Sequence, residues 1–361
     1  MKAKFPLQKA IQISLLVSRL ALGADIPPLA KTERDAMFAM PHYTQCTDPI
    51  QNPSCRGPDG QDICTDMRIP FDKEKHLWGR DTDKVLFLAK PERYDMKGIS
   101  QHKILLNLKP PYVAKEIAYR EPDANTGARK IEDPVPGTVS TYEIGNISDA
   151  GCKWATIWVH GADPGKGDLG IVNNNFGGAF NRMKHLAADN HGLYYSPSVY
   201  DFSNDDGIVA LIKYIHSETC PRGKIIMNCG SAGAGICWRI ANDKRVSDEI
   251  SGMVVIGGGV PDSLKDLEIV KRKVPILLTH GDKGDDGAED SHQAVLDLHK
   301  SMPDYPVRFV LFENGVHMTP LRMLDWKETM NCMLAQAPDP VPPNGKQDKQ
   351  NVEGRSAREM R

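Results

Sequence analysis

The sequence predicts an α/β fold: a mostly parallel central sheet with helices on both faces. Three observations predict it. Apolar runs rich in Ile, Val and Leu recur at 155–160, 193–196, 224–229, 253–256, 275–280 and 307–312. Unbroken runs of this kind suit strands that are buried on both faces. Between them lie stretches with helical spacing. In 207–216 the apolar residues fall at Ile208, Leu211, Ile212 and Ile215, and in 291–302 at Val295, Leu296 and Leu298. Glycines then punctuate the strand ends, at Gly161, at Gly230 and at Gly257-Gly258-Gly259. Strand and helix in alternation make β-α units, and β-α units build parallel sheets. A last helical pattern over 321–334 closes the series.

The flanks read differently. Residues 25–150 have recurrent Pro and Gly and predict an irregular N-terminal extension, with short strand-like pieces at 85–88, 103–108 and 138–144. The α/β core is expected over 151–337. The tail 338–361 is rich in Pro, Lys, Gln and Arg and predicts disorder. At the start, Lys2, Lys4 and Lys9 precede a short apolar stretch, interrupted by Arg19, with small residues near 21–24. Residues 1–24 resemble a secretory signal peptide. A periplasmic or secreted location is the expectation, with a cytoplasmic one as the alternative.

Charge excludes one class of partner. Lys and Arg number 45 against 47 Asp and Glu, so no basic excess marks a nucleic-acid binder. No apolar run approaches the roughly 18 residues that a transmembrane span needs. The eight cysteines are Cys46, Cys55, Cys64, Cys152, Cys220, Cys229, Cys237 and Cys332. None forms a C-x-x-C pair, which argues against a zinc ribbon or a thioredoxin-like motif. An even count behind an export-like leader predicts disulfides. The alternative is thiols in a cytosolic enzyme, and connectivity is not readable from spacing.

The chemistry concentrates at Cys229-Gly230-Ser231-Ala232-Gly233. A strand precedes it, and a helix follows through Ile236, Trp238, Arg239 and Ile240. Small residues are needed there because bulk beside the Ser would clash with strand and helix at so sharp a turn. Two other glycine motifs fail on spacing. Residues 230–235 read G-x-x-G-x-G, the reverse of the dinucleotide fingerprint, and 161–166 is one residue short of a phosphate loop. A packing turn without chemistry is the plain alternative.

This strand–Ser–helix turn resembles the nucleophile elbow, G-x-S-x-G, of the α/β-hydrolase superfamily of serine hydrolases. Cys229 departs from the pattern, which has Gly there. The resemblance covers about residues 150–335. It implies an eight-stranded-type sheet and a Ser231–acid–His317 order along the chain, with His317 in the loop after the last strand, behind an Asn314-Gly315 turn. The acid falls in His280-Gly281-Asp282-Lys283-Gly284-Asp285-Asp286-Gly287. Asp285 is the first choice, Asp286 the main rival and Asp282 the third. The resemblance also implies an oxyanion hole from the backbone N–H groups of Ala232 and of Ala162, in the loop Trp158-Val159-His160-Gly161-Ala162-Asp163. It implies no metal and no organic cofactor. The expected substrate is a small or lipid-like acyl compound carrying an ester-like bond. Peptidase, amidase, thioesterase or acyltransferase chemistry on the same triad, and a non-enzymatic binder with the same fold, are the alternatives. Residues 173–182 either line a pocket or form a solvated loop. Fewer than 20 residues separate the strands near Ile256 and Pro275, so a helical cap has no room there. Either residues 40–150 cover the site or the site is open.

Overall fold

The computed structural model describes residues 98–119, 134–146, 151–161, 165–172, 179–283, 287–324 and 326–338. Within them nine strands form one sheet: β1 (Gln101–Asn107), β2 (Ala114–Ile117), β3 (Thr138–Ile144), β4 (Trp154–Val159), β5 (Gly192–Pro197), β6 (Lys224–Gly230), β7 (Ile250–Ile256), β8 (Ile276–Lys283) and β9 (Val307–Val316). Their order is β2-β1-β3-β5-β4-β6-β7-β8-β9. From β5 to β9 every pairing is parallel, while β1, β2 and β3 pair antiparallel and β3 joins β5 antiparallel.

Among the described residues, seven α-helices cover the sheet: α1 (Ala179–Asp189), α2 (Asp206–Tyr214), α3 (Gly233–Asn242), α4 (Glu268–Lys271), α5 (Ala288–Ser301), α6 (Thr319–Met323) and α7 (Trp326–Gln336). Side chains alternate along each strand, so β6 sends Ile225, Met227 and Cys229 to one face and Ile226 to the other. The first face packs Ile208, Val209, Leu211 and Ile212 of α2, Ile236, Cys237 and Ile240 of α3, and Val295 and Leu298 of α5. The second packs Phe180, Met183 and Leu186 of α1 and Met330, Met333 and Leu334 of α7.

The fold class is as expected, with one boundary changed. The strand-like pieces 103–108 and 138–144 are β1 and β3 of the main sheet, so the sheet begins at residue 101 and not after 150. The piece 85–88, the leader, most of the extension and the tail beyond Pro338 lie outside the described residues. Strand β2 had no sequence signal, and it raises the sheet to nine strands. The expected closing helix is two helices. The chain leaves α6 at Leu324 with ψ 135, and Nη1 of Arg182 donates to the Leu324 carbonyl at 3.3 Å.

Strand order reverses at β4. From β4 the chain crosses by α1 to β5 on one side, then by α2 to β6 on the other. Because right-handed crossovers in opposite directions need opposite faces, α1 and α2 lie on different sides of the sheet. Such a reversal leaves a crevice at the carboxyl ends of the two central strands. Val159 of β4 stands in register with Cys229 of β6, so the loops leaving both strands emerge side by side.

Candidate active site

Strand β6 is buried along most of its length and delivers the chain to Ser231 at the sheet's carboxyl edge. Ser231 has φ 50, the left-handed region that side chains with a Cβ seldom adopt. The conformation is held by its neighbours. The Ser231 N–H donates to the Ile256 carbonyl at 2.9 Å, and the Ala234 N–H donates to the Ser231 carbonyl at 3.0 Å. Helix α3 starts two residues later, so close to β4 that a Cβ on Gly233 would lie 2.5 Å from the Val159 carbonyl oxygen.

His317 follows β9 directly. Met318 behind it has φ 64 and opens α6, which turns the chain sharply after the histidine. The His317 ring comes to the elbow: its Nε2 lies 3.0 Å from Ser231 Oγ, across a sequence separation of 86. His317 and Ala232 are exposed and Ser231 is half-buried, so the pair faces solvent. The Asn314-Gly315 turn expected before His317 is absent, because β9 runs on to Val316. Pairing with β8 carries both strands past their apolar runs.

The loop after β4 closes the other side. A Cβ on Gly161 would fall 2.6 Å from both the Gly230 carbonyl oxygen and Ser231 Cβ, and 3.1 Å from the Ala232 nitrogen. Only a glycine allows that approach. His160, fully buried, fixes the loop from behind: its Nε2 accepts the Val199 N–H at 2.9 Å, and its Nδ1 lies 3.3 Å from the Gly161 carbonyl oxygen. Phe202 sets its ring edge-on to His160, with centroids 5.6 Å apart. Arg239 of α3 then clamps this segment, donating to both carboxylate oxygens of Asp205 and to the Phe202 carbonyl.

Of the expected site residues, Ser231, Ala232 and His317 come together. Ala162, Asp285 and Asp286 lie outside the described residues, as do 173–178. Asp282 lies in β8. The register of β8 on β9 sets Lys283 opposite Val316, so β8 ends beside the residue preceding His317. Sequence reasoning missed His160 as an anchor. A His before a close-approach Gly was its one signal.

A strand reversal at β4, with a serine at positive φ directly after β6, is a combination that identifies the architecture. The chain has the α/β-hydrolase fold. Without the terminal strand β2, the sheet of the described residues has eight strands. No family model matches the chain, and no curated protein matches it. Among solved structures, a thermostable esterase is 17% identical over 57% of this chain and 61% of its own, with TM-score 0.44. The chain thus spans less than two thirds of that esterase. A dienelactone hydrolase-like promiscuous phosphotriesterase, P91, from metagenomic libraries is 13% identical over 66% of this chain and 99% of its own, with TM-score 0.44. An acylaminoacyl peptidase from Pyrococcus horikoshii is 12% identical over 54% of this chain and 38% of its own, with TM-score 0.36. The α/β-hydrolase fold of this chain is read from its strand order and its elbow.

Proposed function

We propose that this protein is a serine hydrolase acting on an ester-like bond, with Ser231 as nucleophile and His317 as its base. The observation that carries the reading is the 3.0 Å contact between His317 Nε2 and Ser231 Oγ at a solvent-facing strand end. A serine hydroxyl is a weak nucleophile, and a base within hydrogen-bond reach makes it competent. The Ser231 hydroxyl donates to His317 Nε2. As Oγ attacks the acyl carbon, the proton moves to Nε2. The oxyanion that forms is held by the backbone N–H groups of Ala232 and Ala162. His317 then gives the proton to the leaving alcohol, which departs and leaves an acyl-enzyme. Water, deprotonated by His317, attacks the acyl carbon, and the acid departs as His317 returns that proton to Ser231 Oγ. An aspartate keeps the imidazole proton on Nδ1 and stabilises the imidazolium. Asp285 is assigned this role, with Asp286 and Asp282 behind it.

The two disulfides among the described residues, Cys152–Cys220 and Cys229–Cys237, support an oxidising compartment for the working enzyme. The test is covalent labelling. A fluorophosphonate should label the wild-type protein at Ser231, and Ser231→Ala should abolish labelling without unfolding. A panel of p-nitrophenyl esters, anilides and thioesters should then show turnover of the esters first. A well-folded wild-type protein that takes no label would remove the hydrolase reading and leave a binding protein.

A further inference from the structure

The turn that carries Ser231 is held by close backbone approaches, with no large side chain of its own to pack. From 230 to 235 the chain reads Gly-Ser-Ala-Gly-Ala-Gly. No side chain there is long enough to lock the backbone, yet Ser231 sits at φ 50. Conformations of that kind persist where the surroundings over-determine them. Part of that control is the hydrogen bonding described above. Another part is covalent. Cys229, the penultimate residue of β6, is bonded to Cys237 in α3, across a sequence separation of 8. Both residues are fully buried, on the face of the sheet that packs α2 and α3. The closed ring therefore contains the whole turn, joining the strand that enters it to the helix that leaves it.

We propose that the Cys229–Cys237 disulfide is a positioning element for the nucleophile: it fixes β6 against α3 so that Ser231 Oγ stays within reach of His317 Nε2. This rests on the reading of Ser231 as nucleophile. It also accounts for Cys229 standing where the elbow pattern has glycine. A small residue suffices sterically there, and the sulfur adds a restraint that glycine lacks.

The molecule contains its own control. Cys152–Cys220 lies at the opposite end of the same strand, Cys152 two residues before β4 and Cys220 four residues before β6, across a sequence separation of 68. A crosslink over a long loop restricts the unfolded chain more than one over a short loop. The two bonds should therefore separate in their effects, with the long one dominating global stability and the short one dominating the site.

The experiment compares wild type with two double variants, Cys229→Ala/Cys237→Ala and Cys152→Ala/Cys220→Ala. The rate of fluorophosphonate labelling, kcat and KM on p-nitrophenyl acetate, the unfolding midpoint and amide exchange over 230–236 are measured for each. The first variant should label about tenfold to a hundredfold more slowly, with kcat reduced to match and KM moved by less than about threefold. Its amides over 230–236 should exchange faster. The second variant should have the larger drop in unfolding midpoint and a wild-type labelling rate. If the first variant does not fold, native wild type is treated with a water-soluble phosphine. Water supplies an oxygen to the phosphine, which becomes its oxide, and two protons to the sulfurs, which become thiols. Labelling should then fall in step with thiols appearing at 229 and 237 by mass spectrometry. Wild-type labelling rates with the bond removed or reduced would overturn the positioning role and leave the nucleophile standing. No labelling of wild type would overturn the nucleophile, and the positioning role with it.

Discussion

At the scale of single residues, the site depends on how close three backbone segments come to Ser231. At Gly161 the approach to the serine is direct, because a methyl group there would meet Ser231 Cβ and the Gly230 carbonyl oxygen at 2.6 Å. Neither neighbour can retreat easily: Gly230 is the last residue of β6, and Ser231 is tied to Ile256. Gly161→Ala should therefore displace the loop that precedes Ala162 and lower kcat on p-nitrophenyl acetate on the order of tenfold to a hundredfold. Gly235 provides the comparison, since a methyl there would meet only Arg239 Nη1, at 3.7 Å. On the exposed face of a helix, Gly235→Ala should raise stability by roughly 0.5–1 kcal/mol and leave kcat unchanged. Equal kcat values for the two alanine variants would show that the approach at Gly161 has no part in turnover. The serine and histidine of this site were legible in sequence because each has a local signature, small residues around Ser231 and a position after the last strand for His317. His160 was less legible, since its partner Val199 is 39 residues away and nothing local marks the contact.

At the scale of elements, α2 is joined to the start of β7 through a buried carboxylate. Glu249 lies just before β7, makes a short contact with Lys213 Nζ, and has His216 Nδ1 at 3.1 Å from its Oε2. Burial by itself would raise this carboxyl. The hydrogen bonds and charges of His216 and Lys213 outweigh it and hold the group below its ordinary value of 4.5. A carboxylate depressed by folding contributes stability above its unfolded value and loses it as pH falls through the folded one. The protein should therefore lose stability from about pH 4.5 downward, partly through this group. Glu249→Gln should cost about 1–3 kcal/mol at neutral pH and flatten the acid side of the curve, as read by urea unfolding at a series of pH values. An acid limb as steep as in wild type would assign that loss to other carboxylates. The elements themselves were legible where burial is two-sided, as in β4, β6 and β7, because such strands must be apolar throughout. They were not legible where backbone pairing alone extends a strand. Gly281, Asp282 and Lys283 follow the apolar run 275–280 and yet lie in β8, while Asn314 and Gly315 read as a turn and lie in β9. The break at Leu324 was hidden for the reverse reason: apolar periodicity continues across it.

At the scale of the whole molecule, the sheet is a parallel body with an antiparallel flank. The parallel body was readable from its β-α alternation. On the flank, β1 and β3 were readable as short strand-like pieces, but not as part of the main sheet, because they are set in a chain rich in Pro and Gly and antiparallel strands need no helices between them. Disulfide connectivity was equally hidden, since spacing cannot say that Cys220 meets Cys152 and Cys229 meets Cys237. Strand β2 has a consequence of another kind. Among the described residues it ends the sheet on the flank with four residues, and its two middle ones, Lys115 and Glu116, are exposed and charged. A short, charged border is a poor template for a foreign strand. Behind it lies β1, seven residues long, with Ile104 and Leu106 buried and its outer hydrogen bonds given to β2. Asn107 and Thr138 pair at the end of the β1–β3 ladder, so a tight turn can join them directly and delete β2. That shortened protein should keep the Ser231 elbow and its reaction with fluorophosphonate, yet scatter light increasingly with concentration as β1 borders recruit one another. A shortened protein as soluble as wild type would mean that the border needs no guard. Otherwise β2, which no catalytic argument requires, is what keeps copies of this chain apart.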